Sequence, residues 1–80
     1  MKQQLFSWAQ DLSLQNKWNR IAMTGRGTFV AASVWLDEEA YNANVHLVEE
    51  RRVESKNNFK SLEEAQSFAD DLLRKQGFKF

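Results

Sequence analysis

Near its end the chain reads Ser61-Leu62-Glu63-Glu64, a capping box in which the Ser61 hydroxyl accepts from the Glu64 backbone N–H and the Glu64 carboxylate reaches back. Behind this cap Leu62, Ala65, Phe68, Ala69, Leu72 and Leu73 recur at spacings of three and four, opposite Glu63, Glu64, Gln66, Asp70 and Arg74. Arg74 and Lys75 suit the negative end of the helix dipole, and Gly77 is placed to take the left-handed conformation that ends the helix. A helix with one apolar stripe must bury it against another layer, so the upstream residues have to supply that layer.

They read as strands. Trp18 to Thr24 and Thr28 to Leu36 are rich in strand formers, and Gly25-Arg26-Gly27 between them tolerates the positive φ of a tight hairpin. Val30, Val34 and Leu36 are the expected core side of the second strand. Asp37 to Asn44, with two Asn and three acids, predicts a turn before a third strand over Val45 to Val53. In that strand Val45 and Leu47 share one face, while His46, Glu50 and Arg52 share the other. Leu5, Trp8, Ala9 and Leu12 follow helical spacing, which predicts a short amphipathic helix ending near Asn16. The expected fold is therefore a single α+β domain over residues 1–80. A three-stranded antiparallel sheet would carry the C-terminal helix and a short N-terminal helix on one face, in the order α-β-β-β-α.

A chain of 80 residues buries only about 60% of the surface its unfolded form exposes. It has no Cys, so no disulfide or thiolate metal site supplements the core, and six Phe, three Trp and one Tyr must carry more of it. The opening MKQQLFSWAQDL has no apolar run long enough for a signal peptide, and no later stretch could span a bilayer. A cytoplasmic protein without membrane contact is expected. Eleven basic and eleven acidic side chains cancel, which removes the simplest argument for a polyanionic partner. The charges are nevertheless blocked. Residues 27 to 50 hold five acids and no Lys or Arg, whereas Arg51, Arg52, Lys56 and Lys60 outnumber Glu54 in the next ten.

Catalytic chemistry has little to work with. There is one His, no Cys, no nucleophile elbow, no phosphate-cradling glycine loop and no His pair at ligand spacing. Glu49-Glu50 and Asp70-Asp71 are adjacent in sequence, which points paired carboxylates apart. A non-enzymatic protein with no metal and no cofactor is expected. The sheet face away from the helices is the candidate contact surface, with Trp18, Arg20, Phe29, Trp35, His46 and Arg52 pointing outward. Arg26, Arg51 and Lys56 complete the candidate partner-binding set, an aromatic and charged composition typical of interfaces.

The junction Asn58-Phe59-Lys60-Ser61-Leu62-Glu63-Glu64-Ala65-Gln66-Ser67-Phe68 resembles the strand-to-helix join of small three-strand-plus-helix modules. Among these are the arm-type DNA-binding domains at the start of phage integrases, and the likeness covers roughly residues 18 to 76. The resemblance implies a sheet that enters the DNA major groove, but residues 27 to 50 lack the family's basic character. The expected α-β-β-β-α order is also similar to that of double-stranded RNA-binding domains. Their lysine-rich helix start would fall at Ser61 to Gln66, which is acidic here. In scale and lack of catalytic residues the chain is similar to small phage or mobile-element proteins that block host enzymes or defence complexes, such as anti-CRISPR proteins. The expected function is a protein-binding regulator or inhibitor, with nucleic-acid binding through the exposed sheet as the alternative and a homodimer as a further possibility.

Overall fold

The computed structural model describes residues 4–80. It holds a six-stranded antiparallel sheet and one helix: β1 (Gln4–Leu5), β2 (Ala9–Gln10), β3 (Lys17–Thr24), β4 (Gly27–Asp37), β5 (Ala40–Leu47), β6 (Arg52–Phe59) and α1 (Leu62–Lys75). The strand order is β1-β3-β4-β5-β6, and β2 shares the outer edge of β3 with β1. No helix among the described residues is long and apolar enough to cross a membrane.

This corrects the expected α-β-β-β-α architecture in three places. Where a helix was expected before Asn16, β1 and β2 form one interrupted strand along β3, with Phe6 N–H donating to Ile21 O at 2.9 Å. Leu5 and Trp8 still reach the core, but Leu12 is fully exposed. The Asp11 side chain accepts from the backbone N–H groups of Ser13 and Leu14, a local bond that competes with helix.

Asp37 to Asn44 is mostly strand. The turn is only Glu38-Glu39, with Glu38 at φ 57°. From Ala40 a period of two sets Tyr41, Ala43, Val45 and Leu47 toward the helix and Asn42, Asn44 and His46 away from it. The expected strand Val45 to Val53 breaks at Val48 to Arg51, and its last two residues, Arg52 and Val53, open the polar edge strand β6.

The third correction concerns faces. The β3–β4 register runs Arg20↔Ala32 and then Ile21↔Val30, so Ala31 is an extra residue, a bulge that inverts the alternation of β4. Val34 is fully buried beneath the helix as expected, whereas Val30 is 43% exposed on the opposite face. Trp18 and Arg20, expected outward, pair with Val34 and Ala32 and lie on the helix side. Arg52 pairs with Leu47 and lies there too.

The C-terminal helix matches its expected form. Ser61 Oγ accepts from Glu64 N–H at 3.2 Å, and the Glu64 carboxylate reaches back to Lys60 N–H. At the other end Phe78 N–H donates to Leu73 O and Gly77 N–H to Arg74 O, with Gly77 at φ 106°, a Schellman closure. The buried Ala65, Ala69 and Leu73 face Ala32, Val34, Ala43, Val45 and Leu47 of the sheet.

Candidate functional site

The helix covers one face of the sheet and leaves the other open. Strand registers sort the open face into three rows. In the middle row Asn19, Ser33, Asn44 and Ser55 lie side by side across β3, β4, β5 and β6. Ser33 Oγ donates to Asn19 Oδ1 at 2.8 Å, Asn19 Nδ2 donates to Asp11 Oδ2 at 2.7 Å, and Ser55 Oγ donates to Asn44 Oδ1. A satisfied polar row of this kind fixes register without adding charge.

On one side of it, Lys17, Trp35 and Asn42 form a second row. Asn42 is buried, and its Oδ1 accepts from Asn58 N–H at 3.3 Å where β6 bulges and Asn58 takes φ 70°. The loop before β3 rises beside this row, pinned by Leu36 N–H donating to Asn16 O at 2.8 Å. A shallow concavity of about 480 Å³ results, lined by Leu14, Gln15, Lys17, Trp35, Leu36 and Asn44. On the other side of the polar row, Ile21 pairs with Val30 and His46 with Val53, and Val30, His46 and Val53 line one small hollow, a mainly aliphatic third row. Val30, Val53 and the nearby Met23 are exposed.

Electrostatically the face is quiet. Lys17 is the one Lys or Arg at its β3 to β6 positions among the described residues. At its rim the Asp11 carboxyl is held below the ordinary carboxylate value, first by the Ser13 N–H and then by the Asn19 amide and the Leu14 N–H.

Of the nine expected contact residues, Trp35 and His46 occupy this face. Phe29 meets the His46 ring edge-on at 6.1 Å, and with Val48 and Arg51 these two line a small hollow at the end of the sheet. The others are elsewhere. Trp18 packs at 6.2 Å from Tyr41 on the helix side. Arg20 is buried against Asp70 at 2.8 Å. Arg52 bridges Glu50 and Glu54, which together raise its pKa. Lys56 lies 5.6 Å over the Phe59 ring and 5.7 Å over that of Phe68. Arg26 sits in the β3–β4 hairpin turn, away from the concavity.

Asn19, Asn44 and Ser55 of the middle row were not foreseen. For Asn44 the signal in the sequence was a period of two shared with Asn42 and His46, hidden by the turn preference of Asn. Among the described residues no group of three His, Cys, Asp or Glu is arranged to hold a metal ion. Comparison with known protein families, known proteins and solved structures returns no match for this chain.

Proposed function

We propose that the chain is a non-catalytic protein-binding module, a regulator or inhibitor acting in the cytoplasm, and that the open sheet face is its contact surface. The observation that carries this reading is the make-up of that face. Exposed aliphatic groups at Met23, Val30 and Val53 and the Trp35 concavity flank a neutral, hydrogen-bonded polar row. Apolar anchors beside satisfied polar groups, with charge at the rim, suit a protein partner.

Nucleic-acid binding has less support. Arg20 and Arg52 are committed to carboxylates within the chain, and Lys17 alone cannot give the row of phosphate contacts such binding needs. The test is affinity capture with the wild-type chain and with Val30→Glu, a change at an exposed position, each on nuclease-treated and untreated lysate. A stoichiometric protein retained after nuclease and lost with Val30→Glu is the expected outcome. Partners that vanish on nuclease treatment, or that bind Val30→Glu equally well, overturn the reading.

A further inference from the structure

The two edges of the sheet differ. β1 and β2 cover the outer side of β3, whereas among the described residues nothing pairs with the outer side of β6. An eight-residue strand with one side of its backbone open is a template for another strand. The charges along it determine which strand fits.

Two copies joined antiparallel along β6 are related by a two-fold axis normal to the sheet. Such an axis keeps helix-side residues opposite helix-side residues, so it passes through a residue and never between two. Arg52, Glu54 and Lys56 are all on the helix side, opposite Leu47, Val45 and Ala43 of β5. An axis at Glu54 would set Glu54 against Glu54 and Arg52 against Lys56, and an axis at Lys56 would set Lys56 against Lys56. An axis at Ser55 sets Glu54 against Lys56 twice, with Val53 opposite Asn57 on the open face. An axis at Val53 would also set unlike charges opposite, Arg52 against Glu54, but it would pair only the first three residues of β6. Unlike charges directly across a strand pair stabilise it and like charges oppose it, so charge and paired length together select the register centred on Ser55.

We propose that β6 is a homodimer seam centred on Ser55, which joins the sheets of two copies into one. The polar row of the open face runs to the same point, since Ser55 is its last member and would meet its own symmetry mate. Asn58 turns its N–H back to Asn42 at the bulge, which confines the pairing to the stretch Arg52 to Asn57. With the axis normal to the sheet, both open faces look the same way. The seam is therefore separate from the contact face proposed above, and the loss of either reading leaves the other standing.

Sedimentation velocity of the wild-type chain from micromolar to millimolar concentration tests the seam, with circular dichroism to verify that each variant is folded. The wild type should show a concentration-dependent dimer. Glu54→Lys alone and Lys56→Glu alone should each weaken it roughly tenfold or more, because each places two like-charged pairs across the axis. An equimolar mixture of the two variants should recover it, since every facing pair is then Lys against Glu. A wild type that stays monomeric throughout, a dimer that neither variant weakens, or a mixture that does not recover each overturns the proposal.

Discussion

One oxygen of Asp70 accepts from Arg20 Nη1 at 2.8 Å and from Trp8 Nε1 at 3.0 Å, and so ties α1 to β3 and to the segment between β1 and β2. The guanidinium is stacked beneath the Phe80 ring at 4.1 Å, and its Nε is buried with no partner among the described residues. Removing the carboxylate would leave that charge buried and uncompensated, which costs far more than exchanging the whole pair for apolar groups. Asp70→Ala should destabilise the fold by about 3 kcal/mol, and Arg20→Met combined with Asp70→Leu by clearly less, measured by urea unfolding. Asp11 is the contrasting case, a half-buried carboxylate at the rim whose bonds organise a loop. Its folded pKa lies below its ordinary value because the Ser13 N–H, the Asn19 amide and the Leu14 N–H favour the charged form. That contribution is complete at neutral pH and is lost as pH falls through the lowered value. Ser13 and Leu14 amide resonances should shift together on acid titration, and Asp11→Asn should remove the shared transition.

At the scale of elements, structure was legible where one local pattern decided it. The capping box, the apolar stripe and Gly77 specify α1 with short-range bonds alone, and all are realised. Ser61→Ala should cost about 1 kcal/mol in thermal or urea unfolding, and Ser61→Asp should cost much less because a carboxylate also caps. The β3–β4 hairpin was legible for the same reason. The failures have a common cause in long-range pairing. Leu5, Trp8, Ala9 and Leu12 fit a helix, but the outer edge of β3 offers backbone partners that β1 and β2 take instead. The Ala31 bulge inverts β4 through a register set by β3, and nothing within β4 announces it. Arg20 was expected on the contact surface, yet its place is set by Asp70, fifty residues away. Asn42 shows the same dependence within the sheet, since its side chain replaces the ladder bond that Asn58 loses at the bulge. Asn42→Ala should leave the Asn58 N–H unpaired and destabilise the domain by about 1–2 kcal/mol, with amide exchange at Asn58 accelerated.

Across the whole molecule, the layer between helix and sheet is built largely from alanine. Ala22, Ala31, Ala43, Ala65 and Ala69 are fully buried, and Ala32 nearly so, whereas Leu73, Val34 and Val45 are the largest side chains fully enclosed. Small residues on both surfaces let the helix backbone approach the sheet closely, leaving no slack for added volume. The large side chains lie around this seam: Trp8, Tyr41, Phe59 and Phe68 are half-buried along its margins, and Phe78 closes the end beyond the helix. In so short a chain this arrangement places aromatic area where it shields the seam and keeps the centre thin. A leucine at Ala69 has to push the two layers apart and so disturbs every contact between them, which overpacking data place at about 1–3 kcal/mol or more. The same added volume at Val30, on the open face, meets solvent. Ala69→Leu should therefore lower the urea midpoint substantially while Val30→Leu leaves it nearly unchanged. Equal midpoints for the two variants would mean that the layers can separate without loss, and that the alanines do not set their spacing.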